Sequence, residues 1–187
     1  MLVTDPAALS ALIDGARLSL FRLETLDRYD DGSDGADFGR YMAGEPGPDP
    51  ERKARWHKVL QADLERSGER TRRVHVVRSP LSDYLRYEFE WGYAHNLACE
   101  DIRILDLAEK PDMSALAETG DFWLIDRERA AVMCYDSDGR YLGFGEPSGR
   151  PGRGFSVIAD SAWVMAEPFS DWWDNHPQYH RDSRVAA

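Results

Sequence analysis

Between Ser79 and Arg103 the chain concentrates groups capable of acid–base or ion-pair chemistry: Asp83, Arg86, Glu88, Glu90, His95, Asn96, Glu100, Asp101 and Arg103. Tyr84, Tyr87, Phe89, Trp91 and Tyr93 are interleaved with them. Carboxylates and guanidiniums in apolar surroundings must pair or shift their protonation, and both binding sites and structural ion networks arise this way. Taken as a site, Tyr84, Arg86, Glu88, Trp91, Asn96, Glu100 and Arg103, joined by Trp123, would line a polar pocket. Glu88 would serve as general base or ligand-orienting carboxylate, Arg86 and Arg103 would bind an anionic group, and Tyr84 or Trp91 would stack on the ligand. Taken as a network, the same charges fix a helix over 80–97 to the sheet. Glu88 and Arg103 are then expected to pair, because an arginine fork can engage a carboxylate with two hydrogen bonds.

Other constellations fail on spacing. Asp37-Phe38-Gly39 and His180-Arg181-Asp182 stand in the wrong order for kinase signatures, with no glycine-rich loop before a paired lysine. In the acidic loop Asp30–Asp37, Gly32 falls at a calcium-ligand position and Tyr41 stands where a bidentate Glu belongs. His176 and His180 are four apart, but Pro177 intervenes and no third ligand is apparent, so neither metal nor cofactor is expected. Cys99 and Cys134 sit in apolar segments, where free cysteine packs as a small hydrophobe. No catalytic residue is assigned.

The elements that must position the remaining cluster follow from periodicity and caps. Asp5-Pro6 opens a short amphipathic helix to Ala16, Leu18–Tyr29 reads as extended, and Phe38–Ala43 as a short helix. Gly44–Pro50 divides an N-terminal arm (1–50) from a main body (51–176), with a mobile tail (177–187). The spacing of Trp56, Val59, Leu60 and Leu64 predicts a helix over 51–67 closed by Gly68. Arg73–Val77 and Ile102–Leu107 flank the helix opened by Ser79-Pro80, a βαβ unit. Segments 122–125, 130–135 and 140–144 form a meander, 145–154 a loop, and 160–175 a last helix. The expected fold is α+β or α/β: a small mixed sheet with a βαβ unit and a C-terminal meander, helices packed on it.

Composition narrows the function classes. The 187 residues carry a net charge of −11, distributed unevenly. Residues 1–50 hold 4 Lys/Arg against 10 Asp/Glu, whereas 51–78 hold 9 against 4. That basic island is too small against an acidic remainder to drive phosphate-backbone binding, so direct nucleic-acid binding is not expected. Two cysteines and the lack of a basic, apolar N-terminal leader point to the cytoplasm. No apolar run approaches transmembrane length.

Phe21-Arg22-Leu23-Glu24, Arg86-Tyr87-Glu88-Phe89, Asn96 with Glu100-Asp101-Ile102-Arg103, Asp121-Phe122-Trp123 with Asp126, and Tyr135-Asp136 with Gly139-Arg140 carry a resemblance. Together they resemble an uncharacterised actinobacterial family, the domain of unknown function 6879, over roughly Leu18 to Trp173. The resemblance implies a regulatory setting beside helix-turn-helix proteins and transfers no catalytic residue. In place of that family's Ala-Gly-Glu this chain has Ala98-Cys99-Glu100. The layout of Asp101–Leu105 followed by Asp121–Asp126 also resembles the phospholipase D-like fold. Its His-x-Lys motif is absent, since Lys53, Lys58 and Lys110 are the only lysines and none has His two residues before it.

Two functions are expected from these features. The first is a non-catalytic protein partner, of a helix-turn-helix regulator, with Phe38, Tyr41, Trp172 and Trp173 as interface aromatics; a homodimer stays open. The alternative is a small-molecule-binding or hydrolytic domain using the pocket beside helix 80–97.

Overall fold

The computed structural model describes residues 2–30, 32, 34, 36–147 and 151–181. In chain order it forms β1 (Leu2–Val3), α1 (Pro6–Asp14), β2 (Leu20–Glu24), α2 (Asp37–Met42), α3 (Pro50–Ser67) and β3 (Thr71–Val77). Next come α4 (Asp83–Tyr87), a π-helical turn (Glu88–Tyr93) and α5 (Ala94–Asn96), then β4 (Glu100–Asp106) and α6 (Ser114–Glu118). The chain closes with β5 (Phe122–Ile125), β6 (Arg129–Tyr135), β7 (Tyr141–Gly145), α7 (Pro151–Met165), β8 (Glu167–Pro168) and α8 (Phe169–Asn175).

The eight strands make one mixed sheet in the order β1-β7-β6-β5-β2-β3-β4-β8. β2, β3 and β4 are parallel, and the strands flanking them on both sides are antiparallel. The βαβ unit and the C-terminal meander are both present. The first fifty residues, separable on sequence as an arm, supply β2 near the middle of this sheet. Residues 182–187 of the expected tail lie outside the described residues, and Tyr179 at its start is buried.

Caps set the helix limits. The Asp49 side chain accepts from the Glu51 and Arg52 N–H groups, and Gly68 ends α3 at φ 71°, a conformation that penalises a Cβ. Ser82, not Ser79, caps α4. The helix predicted over 160–175 is two, divided by β8, which pairs with the β4 edge.

Register sorts the side chains between two faces. Phe21, Leu23, Val74, Val76, Leu105 and Leu124 share one face and pack on Ala159, Ala162 and Ala166 in and just after α7. On the other face, Leu20, Ile125, Ala131 and Met133 pack under Leu12 of α1. At the far end of this second face, Ile102 and Ile104 pack under Phe89, Phe169 and Trp172. Between these two apolar ends the face is charged. No described helix is long and apolar enough to cross a membrane.

Candidate functional site

The charged stretch is built by strand alternation. Arg22 and Glu24 stand two apart on β2, so they point the same way, and parallel pairing sets them beside Arg73 and His75 on β3. Glu100 begins β4 opposite Thr71, two positions before the partner of Arg73 and so on the same face, and all five are buried. Arg73 donates from Nη1 to Glu24 Oε1 at 2.7 Å and from Nη2 to Glu100 Oε1 at 2.9 Å. Arg22 donates from Nη2 to Asp121 Oδ2 at 2.8 Å and to the Tyr135 hydroxyl at 3.0 Å. Asp121 also accepts from the Thr25 amide and hydroxyl and from Tyr29, each within 2.8 Å. Asn96 donates to Glu100 at 2.8 Å.

This network sets the protonation states. Burial alone would raise the Glu24 carboxyl, but Arg73 and Arg22 more than reverse that and hold it far below the usual carboxylate range. Burial lowers His75, against the pull of Glu24. His75 Nε2 lies 3.0 Å from the Leu26 carbonyl and so must carry the ring hydrogen, which leaves Nδ1 as an acceptor. Nδ1 is 2.7 Å from the Tyr93 hydroxyl, which also lies 2.6 Å from Glu24 Oε2. One phenolic proton therefore serves two acceptors. Burial and the Glu24 charge push Tyr93 well above the ordinary phenol range.

Above the network is a cavity of about 540 Å³. Arg22, Glu24, Arg73, Glu100 and Trp123 line it from the sheet, Leu9 and Ile13 from α1, and Tyr84, Tyr87, Glu88, Gly92 and Tyr93 from the helix after β3. From α3 come Arg52, Lys53, Trp56, Val59 and Leu60. The π turn matters here. Its wider repeat brings residues five apart onto one side, so Glu88 and Tyr93 both reach His75, Glu88 Oε2 at 3.8 Å. Arg52 is held by Asp37. Burial, then the neighbouring Arg52 charge, depresses Lys53 to about 8. Arg22 Nη1, Arg73 Nε and Asn96 Oδ1 are buried polar atoms with no hydrogen-bond partner among the described residues.

The cluster expected from sequence is thus partly assembled. Tyr84, Glu88, Asn96, Glu100 and Trp123 line the cavity. Arg86 does not: its guanidinium lies over the Tyr179 ring, 5.3 Å from the centroid. Trp91 is buried edge-on to Tyr41. Arg103 lies on the opposite face of the sheet, because register pairs it with Val74 rather than Arg73. There it donates to the Trp163 and Ala166 carbonyls and covers the Trp163 ring. The expected Glu88–Arg103 pair is therefore wrong; the arginine beside the helix face is Arg73, one strand over. Among the interface aromatics, Tyr41 and Trp172 are buried, and Phe38 and Trp173 are half-buried against the same apolar cluster.

Sequence reasoning missed Arg22, Glu24, Arg73, His75, Asp121 and Lys53. The alternation Arg22-Leu23-Glu24 mimics a solvent-facing strand edge, yet β2 is central. The usable signal was that Arg22, Glu24, Asp121 and Tyr135 all occur in the fragments that carry the family resemblance. Those four residues, Arg22 and Tyr135 standing more than a hundred positions apart, converge on this one network. A family model described as "Domain of unknown function (DUF6879)" matches residues 7–174. No curated protein matches the chain.

Proposed function

Since the chain belongs to this family of unknown function, we propose, from the site itself, that it is a small-molecule-binding domain. Its ligand occupies the cavity between α1, α3 and the helix following β3. One observation carries the reading: a buried, mutually paired charge network forms the floor of an open cavity whose other walls combine aromatic and aliphatic side chains with Glu88, Arg52 and Lys53. A core needs no such network, since apolar residues of equal volume fill it at least as stably. The volume also falls within the roughly 300–1,000 Å³ of ligand pockets.

The ligand that suits it has a flat or aliphatic body, set against Tyr84, Tyr87 and Trp56, and a polar end. Glu88 orients that end, in the role expected from sequence. Lys53 takes over the anion-binding role expected of Arg86 and Arg103. Its ammonium has no hydrogen-bond or ion-pair partner among the described residues, whereas Arg22, Arg73 and Arg52 are paired. Binding of a protein partner stays the second reading; of the aromatics expected for it, Tyr41 and Trp172 are buried and Phe38 and Trp173 half-buried.

A thermal-shift screen of a metabolite library, followed by the plug variant Gly92→Leu, tests this. A Cβ at Gly92 meets only Glu88 Cγ, at 3.5 Å, so the variant should fold. Hits should quench Trp56 and Trp123 fluorescence and lose their stabilisation in the plugged protein. Hits that stabilise both forms equally bind elsewhere and would overturn the proposal.

A further inference from the structure

His176, left without metal partners by its sequence neighbours, meets two carboxylates from another part of the fold. Its Nε2 is 3.4 Å from Glu109 Oε1, and ligand atoms of Asp106, Glu109 and His176 all lie within 4.8 Å of one another. We propose that these three residues bind a divalent transition-metal ion of the zinc class.

The imidazole is prepared for it. Nδ1 lies 2.7 Å from the Trp172 carbonyl and so donates there, which leaves the Nε2 lone pair facing the carboxylates. The ring is fixed by stacking on Trp172 at 4.1 Å between centroids. His180 is turned away, with Nε2 2.9 Å from the Trp173 carbonyl.

Asp106 supplies the second, independent observation. It is buried, and its oxygens accept only from neutral donors: the Ser79 hydroxyl at 2.5 Å and the Ala108 amide at 2.9 Å. Among the described residues no arginine, lysine or histidine forms an ion pair with it. A buried carboxylate without a counter-charge is costly, and each of its oxygens retains a lone pair for a cation. Asp106 also ends β4 beside the segment leaving β3, and the carboxyl ends of parallel strands are where open sheets present ligand sites.

The distances suit the ion. Bonds of roughly 2.0–2.1 Å in tetrahedral geometry separate ligand atoms by about 3.4 Å, the His176–Glu109 spacing already present. A nitrogen and two carboxylates favour zinc, cobalt or manganese over calcium, which takes six or more oxygens. Three protein ligands leave a fourth position for water.

Zinc titration by calorimetry on the tag-free, chelator-stripped chain tests the site. One ion per chain should bind in the micromolar range or tighter, and cobalt should give visible d–d bands. His176→Gln and Glu109→Gln should each weaken binding by more than about tenfold, and His180→Gln should not. Glu109 is exposed, so Glu109→Gln keeps the fold even if His176→Gln does not. No saturable micromolar binding, or binding that survives the loss of either ligand, overturns the proposal.

Discussion

Glu24 is the hub of the cavity floor, and truncating it tests the account of that floor. Glu24→Ala removes the acceptor from Arg73 Nη1 at 2.7 Å and, more weakly, from Arg22 Nε at 3.4 Å, and it takes the charged acceptor from the Tyr93 hydroxyl at 2.6 Å, which keeps His75 Nδ1 at 2.7 Å. Arg73 keeps Glu100 and Arg22 keeps Asp121, so neither guanidinium is left without an anion. Two strong hydrogen bonds to a charged group contribute about 1.5–3 kcal/mol each. The loss should therefore be roughly 3–5 kcal/mol, the sum of those two bonds. At about 2–4 °C per kcal/mol for a chain this size, the melting midpoint should fall by on the order of 10 °C. The sign with pH is fixed too. A carboxyl depressed on folding stabilises fully above the ordinary glutamate range, and that stability is lost as pH falls through it toward the depressed value. Urea denaturation at neutral and acidic pH should show the gap between wild type and variant narrowing in acid. A neutral-pH loss under about 1 kcal/mol, the scale of an exposed pair, or a gap that widens in acid, would refute the reasoning.

Lys53, depressed to about 8, should be acylated at mildly alkaline pH before Lys58 and Lys110, as read by peptide mass spectrometry; equal labelling of all three contradicts its placement. Because the folded value lies below the ordinary lysine value, Lys53 should also make stability rise as pH increases from about 8 toward the free-lysine range, measurable by thermal melts against Lys53→Met. Trp172→Ala should cost roughly 3–5 kcal/mol as a core truncation, and a variant melting like wild type would return Trp172 to the surface. Arg103→Ala removes donors to the last carbonyls of α7 and should cost about 1 kcal/mol, leaving cavity ligands bound as before; loss of their binding would place Arg103 back at the site.

What the sequence made legible was local. Caps at Asp5, Asp49 and Gly68 delimit α1 and α3, and the valines of 74–77 followed by an aromatic helix and Ile102–Leu107 give the βαβ unit. The pocket's helix wall was legible for the same reason: Tyr84 and Glu88 are four apart. Its floor was not. Arg22, Arg73 and Asp121 meet only because β2 enters between β5 and β3, a long-range pairing that no window of sequence contains. Arg103 was misplaced by a single step of parity along β4, which in a strand means the opposite face. The π turn was invisible as well, since it keeps helical composition while changing which residues align.

Helix α3 is fastened at both ends and, between them, at one point, where His57 Nε2 lies 2.7 Å from the His95 carbonyl. Near the start, Arg52 grips Asp37; near the finish, Arg66 donates to the Ala16 and Ile13 carbonyls. Over its eighteen residues only Leu60 is buried, while Trp56 and Val59 face the cavity half in water. It behaves mechanically as a beam held at both ends, with the single His57 tie between them, over an unfilled span. Its middle amides should exchange with deuterium well ahead of those in β3, which is hydrogen-bonded on both sides. A molecule filling the span would give Trp56 and Val59 their missing contact, so α3 is where occupancy should become stiffness.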